Sequence, residues 1–233
     1  MNRAVRWEGF FNTRDLGGLP TRSGGRTAQA GFYRAADLRF VTDAGWRQAR
    51  ESGVRTIVDL RNAAEITTPG ATGICRIEVP LDGVEDVAFW RHIAAEQLDG
   101  SPLYYRLFLE QKADRCAAVL TALARAEPGG VLFHCGAGRD RTGLIALLLL
   151  ALADVEPEAI AADYDLSAEA VRPLFAALGV EDQSPVIKVI LESRGTTTRQ
   201  AILDVLSGFD PEQYLLHAGM HPKDVNSLRN RLR

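Results

Sequence analysis

Cysteine is scarce in this chain, three in 233 residues, and no two of them form a C-x-x-C pair. That spacing excludes a disulfide framework and a zinc site of the usual kind, and unpaired thiols suit a reducing compartment. An excess of positive charge is also missing. Lys and Arg number 27 against 30 Asp and Glu, a formal net charge of -3, which argues against broad nucleic-acid binding. Any anion site must therefore be local. No apolar run approaches the ~20 residues of a membrane-spanning helix. The longest, Leu144 to Ala153, reads as a buried helix. The opening MNRAVRWEGFFNTRDL lacks the apolar stretch of a signal peptide, so a cytoplasmic location is expected. Histidines 92, 217 and 221 have no partners at metal-ligand spacing, so neither a metal nor an organic cofactor is expected.

What is present fits an ordinary folded protein. Apolar residues make up 46% and charged residues 24%, and the length is read as a single domain over 1–233. Residues 9–35, rich in Gly, Thr and Arg, read as an irregular or hairpin-like lead-in. Thr42 is an N-cap candidate for a helix that stops at Gly53. Strands are expected at 56–60, at 75–81 after a polar stretch 61–73, and at 131–133. Between 84 and 126 the apolar spacing is helical, broken once at Asp99-Gly100-Ser101-Pro102. Further helices are expected at 142–153, 157–178, 184–192, 196–207 and 222–232. Strands early, helices between them and a helical C-terminal third predict an α/β fold around a short, mainly parallel sheet.

The chemistry is concentrated in Val131-Leu132-Phe133-His134-Cys135-Gly136-Ala137-Gly138-Arg139-Asp140-Arg141-Thr142-Gly143. A buried strand runs into a glycine turn and then into a helix. Backbone N–H groups in such a turn, with the unpaired first amides of the helix and its dipole, form an anion cradle. Cys135 stands at its mouth, where donors and a guanidinium favour the thiolate. Arg141, six residues on, closes the loop, and its planar fork can take two phosphoryl oxygens at once.

HCGAGRDRTG carries the pattern HC-x5-R-S/T and so resembles the protein tyrosine phosphatase superfamily. The resemblance implies a cysteinyl-phosphate intermediate on Cys135. Gly136, Ala137, Gly138, Arg139, Asp140 and Arg141 would then hold phosphate, Thr142 would bond the sulfur, and His134 would brace the loop. FNTRDLGGL, GFYRAADL and VRTIVDLRNAAE precede it in an order similar to the atypical bacterial branch. That branch acts on phosphotyrosine and often on phosphoserine, phosphothreonine or phosphoinositides. It implies a phosphotyrosine-phosphatase-like, about four-stranded parallel sheet, no cofactor, and sometimes a helical lid. Where the branch commonly has lysine, this chain has Arg139, which leaves phosphoinositides open as substrates beside phosphotyrosine proteins and small phosphomonoesters.

The leaving oxygen needs a proton. By resemblance Asp140 supplies it, with Asp82 and Asp59 as rivals near strand ends. Asp59, Arg61 and Glu65 also read as a structural ion-pair group, and Asp15 and Arg34 as polar anchors of the N-terminal segment. Cys75 and Cys116 read as buried, inert thiols. Phe89-Trp90 and Tyr104-Tyr105 read as packing. Two other functions share the loop chemistry: a phosphate-binding module without turnover, and a rhodanese-like sulfurtransferase.

Overall fold

The computed structural model describes residues 3–67 and 73–233. Five strands form one sheet in the order β1-β2-β5-β3-β4: β1 Arg14–Asp15, β2 Phe32–Ala35, β3 Val54–Asp59, β4 Cys75–Glu78 and β5 Gly130–His134. The last four are mutually parallel, while β1 pairs antiparallel with β2. The expected parallel sheet is thus present, extended at one edge by a two-residue strand.

Side chains alternate along the strands, so each strand feeds both faces of the sheet. Phe32, Val58, Val131 and Phe133 enter the larger core, and Tyr33, Ile57 and Leu132 the smaller one beside Trp7 and Phe10. Every residue of β5 is buried, as a central parallel strand requires. Helix α1 (Asp43–Glu51) covers the smaller core; the hydroxyl of its N-cap Thr42 accepts the Gly45 amide. The larger core is closed by α2 (Val87–Ala95), α3 (Tyr105–Gln111), α4 (Ala113–Arg125) and α5 (Asp140–Leu152). Leu144 to Leu150 of α5 are at most 1% exposed. Each such leucine contributes about 1.5–3 kcal/mol on burial, which is why this helix needs no polar face. The chain continues through α6 (Pro157–Ala170), α7 (Arg172–Leu178), α8 (Ser184–Ser193), α9 (Thr198–Leu206), α10 (Pro211–His217) and α11 (Pro222–Leu232). Among the described residues no helix is long and apolar enough to cross a membrane.

Several boundaries differ from expectation. The lead-in 9–35 contains β1 and β2. Four residues, FYRA, are too short to show a period, and the buried Arg34 in their middle disguises a central strand. The 84–126 region holds three helices, because the backbone also breaks at Lys112. Helix α10 was unexpected, although Asp210 caps it and Pro211 starts it. The strand at 75–81 ends at Glu78. The polar stretch 61–73 lies partly outside the described residues, and its described part makes one 3-10 turn at Ala63–Glu65.

The register that matters for function joins Ala35, His134, Asp59 and Glu78 in a single row across the sheet. These are the last residues of the four parallel strands. Open parallel sheets bind ligands outside this edge, and Cys135 is the next residue of β5.

Candidate active site

Beyond His134 the chain turns through Cys135 to Arg139 and enters α5 at Asp140. Three carbonyls of this turn are drawn outward. The Asp37 amide donates to Gly136 O at 2.8 Å, Asn12 Nδ2 donates to Ala137 O and Gly138 O at 3.0 Å each, and Arg34 Nη2 donates to Gly138 O at 2.9 Å. In a trans peptide the N–H opposes its C=O, so the amides of Ala137, Gly138 and Arg139 turn to the inner side of the loop. Gly138 has φ +67°, and a Cβ there would lie 2.4 Å from Ala35 O. Only glycine fits so close to β2.

Arg34 does more than hold a carbonyl. Asp163 of α6 receives Arg34 Nη1 at 2.7 Å, Arg14 Nε at 3.0 Å and Arg3 Nη1 at 2.8 Å. Burial opposes charge on Asp163, yet Arg14, Arg34 and Arg3 hold its carboxyl well below the usual range. Burial and the neighbouring Arg34 pull Arg14 down to about 10 despite Asp163. This cluster ties β1, β2 and α6 to the back of the loop. Arg34 anchors as expected, while Asp15 instead accepts the amides of Gly17 and Ala30.

Cys135 is 2% exposed. Arg141 folds across the loop, with Nη2 3.6 Å from where a Cβ of Gly136 would stand. Its fork meets Glu65 through Nη1 to Oε2 at 2.7 Å and Nη2 to Oε1 at 2.8 Å, while Asp82 Oδ2 takes a further bond from Nη1 at 3.0 Å. Burial works against the charge on Arg141, but Glu65, Cys135 and Asp82 more than offset it and raise the guanidinium above its ordinary value. The shared cation treats its two carboxylates differently. Glu65, burial notwithstanding, is lowered by its two-bond grip on Arg141. Asp82 is raised, chiefly by burial, with Glu65 and Asp140 adding like charge. The expected grouping of Glu65 with Asp59 and Arg61 is therefore corrected: Arg61 pairs with Asp59 and Asp37, and Glu65 belongs to Arg141.

His134 lies between strand and loop, with Nδ1 3.3 Å from Cys135 O and Nε2 3.4 Å from Asp59 Oδ2. Burial opposes the Asp59 charge, but bonds from His134 and Arg61 hold its carboxyl far below the usual range. Asp59 is wholly buried and so braces His134. Thr142 Oγ1 is buried with no hydrogen-bond partner among the described residues. The bond to the Cys135 sulfur that the resemblance implied is not formed here. Asp140 accepts Tyr164 Oη on Oδ1 at 2.8 Å and Arg139 Nε on Oδ2 at 3.3 Å. Arg139 is itself buried and lines a cavity of about 520 Å³ with Tyr164, Pro102, Ile187 and Leu191.

Cys116 is buried as expected, and burial pushes its thiol up to about 12. Cys75 is exposed instead, at the start of β4, which is an edge strand of the sheet. Phe89, Tyr104 and Tyr105 pack in the core. Sequence reasoning did not find Asn12, Asp163, Tyr105 or Tyr164. Asn12 and Arg14 sit in FNTRDLGGL, a usable signal, whereas nothing distinguishes the two tyrosines from packing residues.

A family model described as the tyrosine phosphatase family matches residues 5–233. A Cupriavidus necator protein named as a candidate tyrosine-protein phosphatase is 32% identical over 69% of this chain and 61% of its own length. The tyrosine-protein phosphatase of Nostoc commune is 34% identical over 59% and 48%. The chain thus spans about half to three-fifths of these two relatives. The triple specificity protein phosphatase PtpB of Mycobacterium tuberculosis is 26% identical over 95% of this chain and 96% of its own. With nearly its whole length matched by the model, the chain belongs to the tyrosine phosphatase family.

Proposed function

We propose that this protein, as one domain over 1–233, hydrolyses phosphomonoesters, phosphotyrosine foremost, through a cysteinyl-phosphate on Cys135. The observation that carries the proposal is the loop whose carbonyls are drawn outward by Asn12, Arg34 and Asp37, so that its amides line the inner side beside Arg141. Such preorganised donors stabilise the charge of a transferring phosphoryl group.

In the first step the Cys135 thiolate forms a bond to phosphorus as the ester P–O bond breaks. Asp140 gives its proton to the leaving oxygen. In the second step Asp140, now a carboxylate, takes a proton from water as that water bonds to phosphorus and the S–P bond breaks, restoring the thiolate. The phosphate-holding set is Gly136, Ala137, Gly138, Arg139, Asp140 and Arg141, with His134 bracing the loop. The Thr142 hydroxyl, without a partner among the described residues, turns to donate to the sulfur as it departs.

The resemblance to the atypical bacterial branch, together with a relative named for triple specificity, brings phosphoserine, phosphothreonine and phosphoinositides into the proposal as further substrates. Arg139 bears on the last. Its Nε already faces Asp140 and its side chain is buried, so phosphoinositide turnover is expected to be slower than that of phosphotyrosine.

The test is hydrolysis of p-nitrophenyl phosphate and a phosphotyrosine peptide in EDTA, with vanadate as inhibitor and Cys135→Ser as the variant. Turnover blocked by vanadate and lost in the variant is expected. Folded, reduced protein inactive on both substrates overturns the proposal.

A further inference from the structure

Helix α6 contributes one side chain that reaches the loop's carboxylate. Tyr164 is 5% exposed, and its Oη lies 2.8 Å from Asp140 Oδ1. Tyr105 of α3, wholly buried, donates to the backbone carbonyl of the same residue at 2.6 Å. The two rings meet edge to face, 6.0 Å between centroids and 84° between planes. The first turn of α5 is shaped to receive them: a Cβ on Gly143 would stand 2.6 Å from Tyr164 Cε2 and 2.9 Å from Tyr105 Oη. Burial raises both phenols well above their ordinary value, so each remains a hydrogen-bond donor at neutral pH.

Tyr164 is also locked to the loop through its chain neighbour. Asp163 binds Arg34, and Arg34 holds Gly138 O. One guanidinium therefore fixes both the helix carrying Tyr164 and the loop carrying Asp140.

We infer that Tyr164 is the positioning residue for Asp140: it commits Oδ1 as an acceptor and so assigns the transferred proton to Oδ2. The inference rests on the reading of Asp140 as the proton donor. Arg139 Nε, at 3.3 Å, is the longer contact to Oδ2 and yields when that oxygen carries the proton. A phenylalanine in place of Tyr164 fills the same space and donates nothing, so the carboxyl becomes free to rotate away from the leaving oxygen.

The experiment compares kcat/KM for phenyl phosphate, whose leaving group needs the proton, with that for p-nitrophenyl phosphate, whose leaving group hardly does. Tyr164→Phe is expected to lose about tenfold on the first ester and little on the second, with vanadate inhibition and thermal stability unchanged. In an Asp140→Asn background it should cost nothing further. Tyr105→Phe, which loses the bond to the Asp140 carbonyl and a hydroxyl neighbour of Tyr164 but leaves Oδ1 its donor, should show the smaller difference between the two esters. Equal losses of Tyr164→Phe on both esters, or an additive loss in the Asp140→Asn background, overturn the inference. If Asp140→Asn depends on the leaving group and Tyr164→Phe does not, the Tyr164 role alone falls. If Asp140→Asn shows no such dependence, the donor assignment falls and takes the inference with it.

Discussion

Glu65 meets Arg141 head-on, its two carboxylate oxygens 2.7 and 2.8 Å from the terminal nitrogens of the guanidinium. That contact uses the end of the fork and leaves the side bearing Nε for a ligand. Glu65 thereby aims the arginine across the loop. Glu65→Ala should lower kcat/KM by about 10- to 100-fold, the scale of lost hydrogen bonds to a charge. It should weaken vanadate binding in parallel. Unchanged vanadate affinity in the variant would remove Glu65 from this role.

Two glycines of the loop have opposite tolerances. A Cβ on Gly138 would lie 2.4 Å from Ala35 O, a backbone atom that cannot yield, at φ +67°. A Cβ on Gly136 meets nothing closer than Arg141 Nη2 at 3.6 Å. Gly138→Ala should therefore destabilise the fold by more than about 1 kcal/mol and lower the thermal midpoint by several degrees. Gly136→Ala should keep the native midpoint. Equal midpoints for the two variants would contradict the loop geometry.

Asp163 is the counter-charge to Arg3, Arg14 and Arg34. Its carboxyl is depressed in the folded chain, burial being outweighed by these arginines. A depressed carboxyl contributes stability above its unfolded value of about 3.9 and loses it as pH falls through the folded value. The wild-type urea midpoint should thus fall steeply below pH ~4. Asp163→Asn should lose about 3–5 kcal/mol at neutral pH, the scale for breaking a buried ion pair, and show a flatter acid limb. A variant as stable as wild type at pH 7 would refute the assignment.

The loop and most of the sheet were legible because their signals are local. Val131-Leu132-Phe133 is a continuous apolar run before a glycine turn, and the run from Leu144 reads as a buried helix. What escaped depends on contacts across long separations. Arg34 reads as a polar anchor, but its partner is out of reach of the local sequence: Asp163, 129 residues away, supplies the carboxylate, and that same pairing lets an arginine sit inside β2. Glu65 was visible as an acid near Asp59, but its partner lies 76 residues on. Spacing within one segment cannot report such pairs.

Asp82 and Asp140 both flank the loop, and their surroundings assign them different tasks. Asp82 bonds Arg141 Nη1 at 3.0 Å and Asn62 Nδ2 at 2.8 Å, so it acts on the phosphate-holding guanidinium. Asp140 begins α5, and its carboxylate is held by Tyr164 and Arg139 rather than by Arg141. Asp82→Asn should therefore reduce kcat/KM by a similar factor for phenyl and p-nitrophenyl phosphate, because every ester places its phosphoryl group against Arg141. Asp140→Asn should cost about 100-fold or more on phenyl phosphate, within the usual range for general acid catalysis, and far less on p-nitrophenyl phosphate. The raised carboxyl of Asp82, which follows mainly from its burial, makes it the natural rival as proton donor. Leaving-group dependence separates the two: if it appears in Asp82→Asn and is absent from Asp140→Asn, the proton comes from Asp82 and the roles exchange.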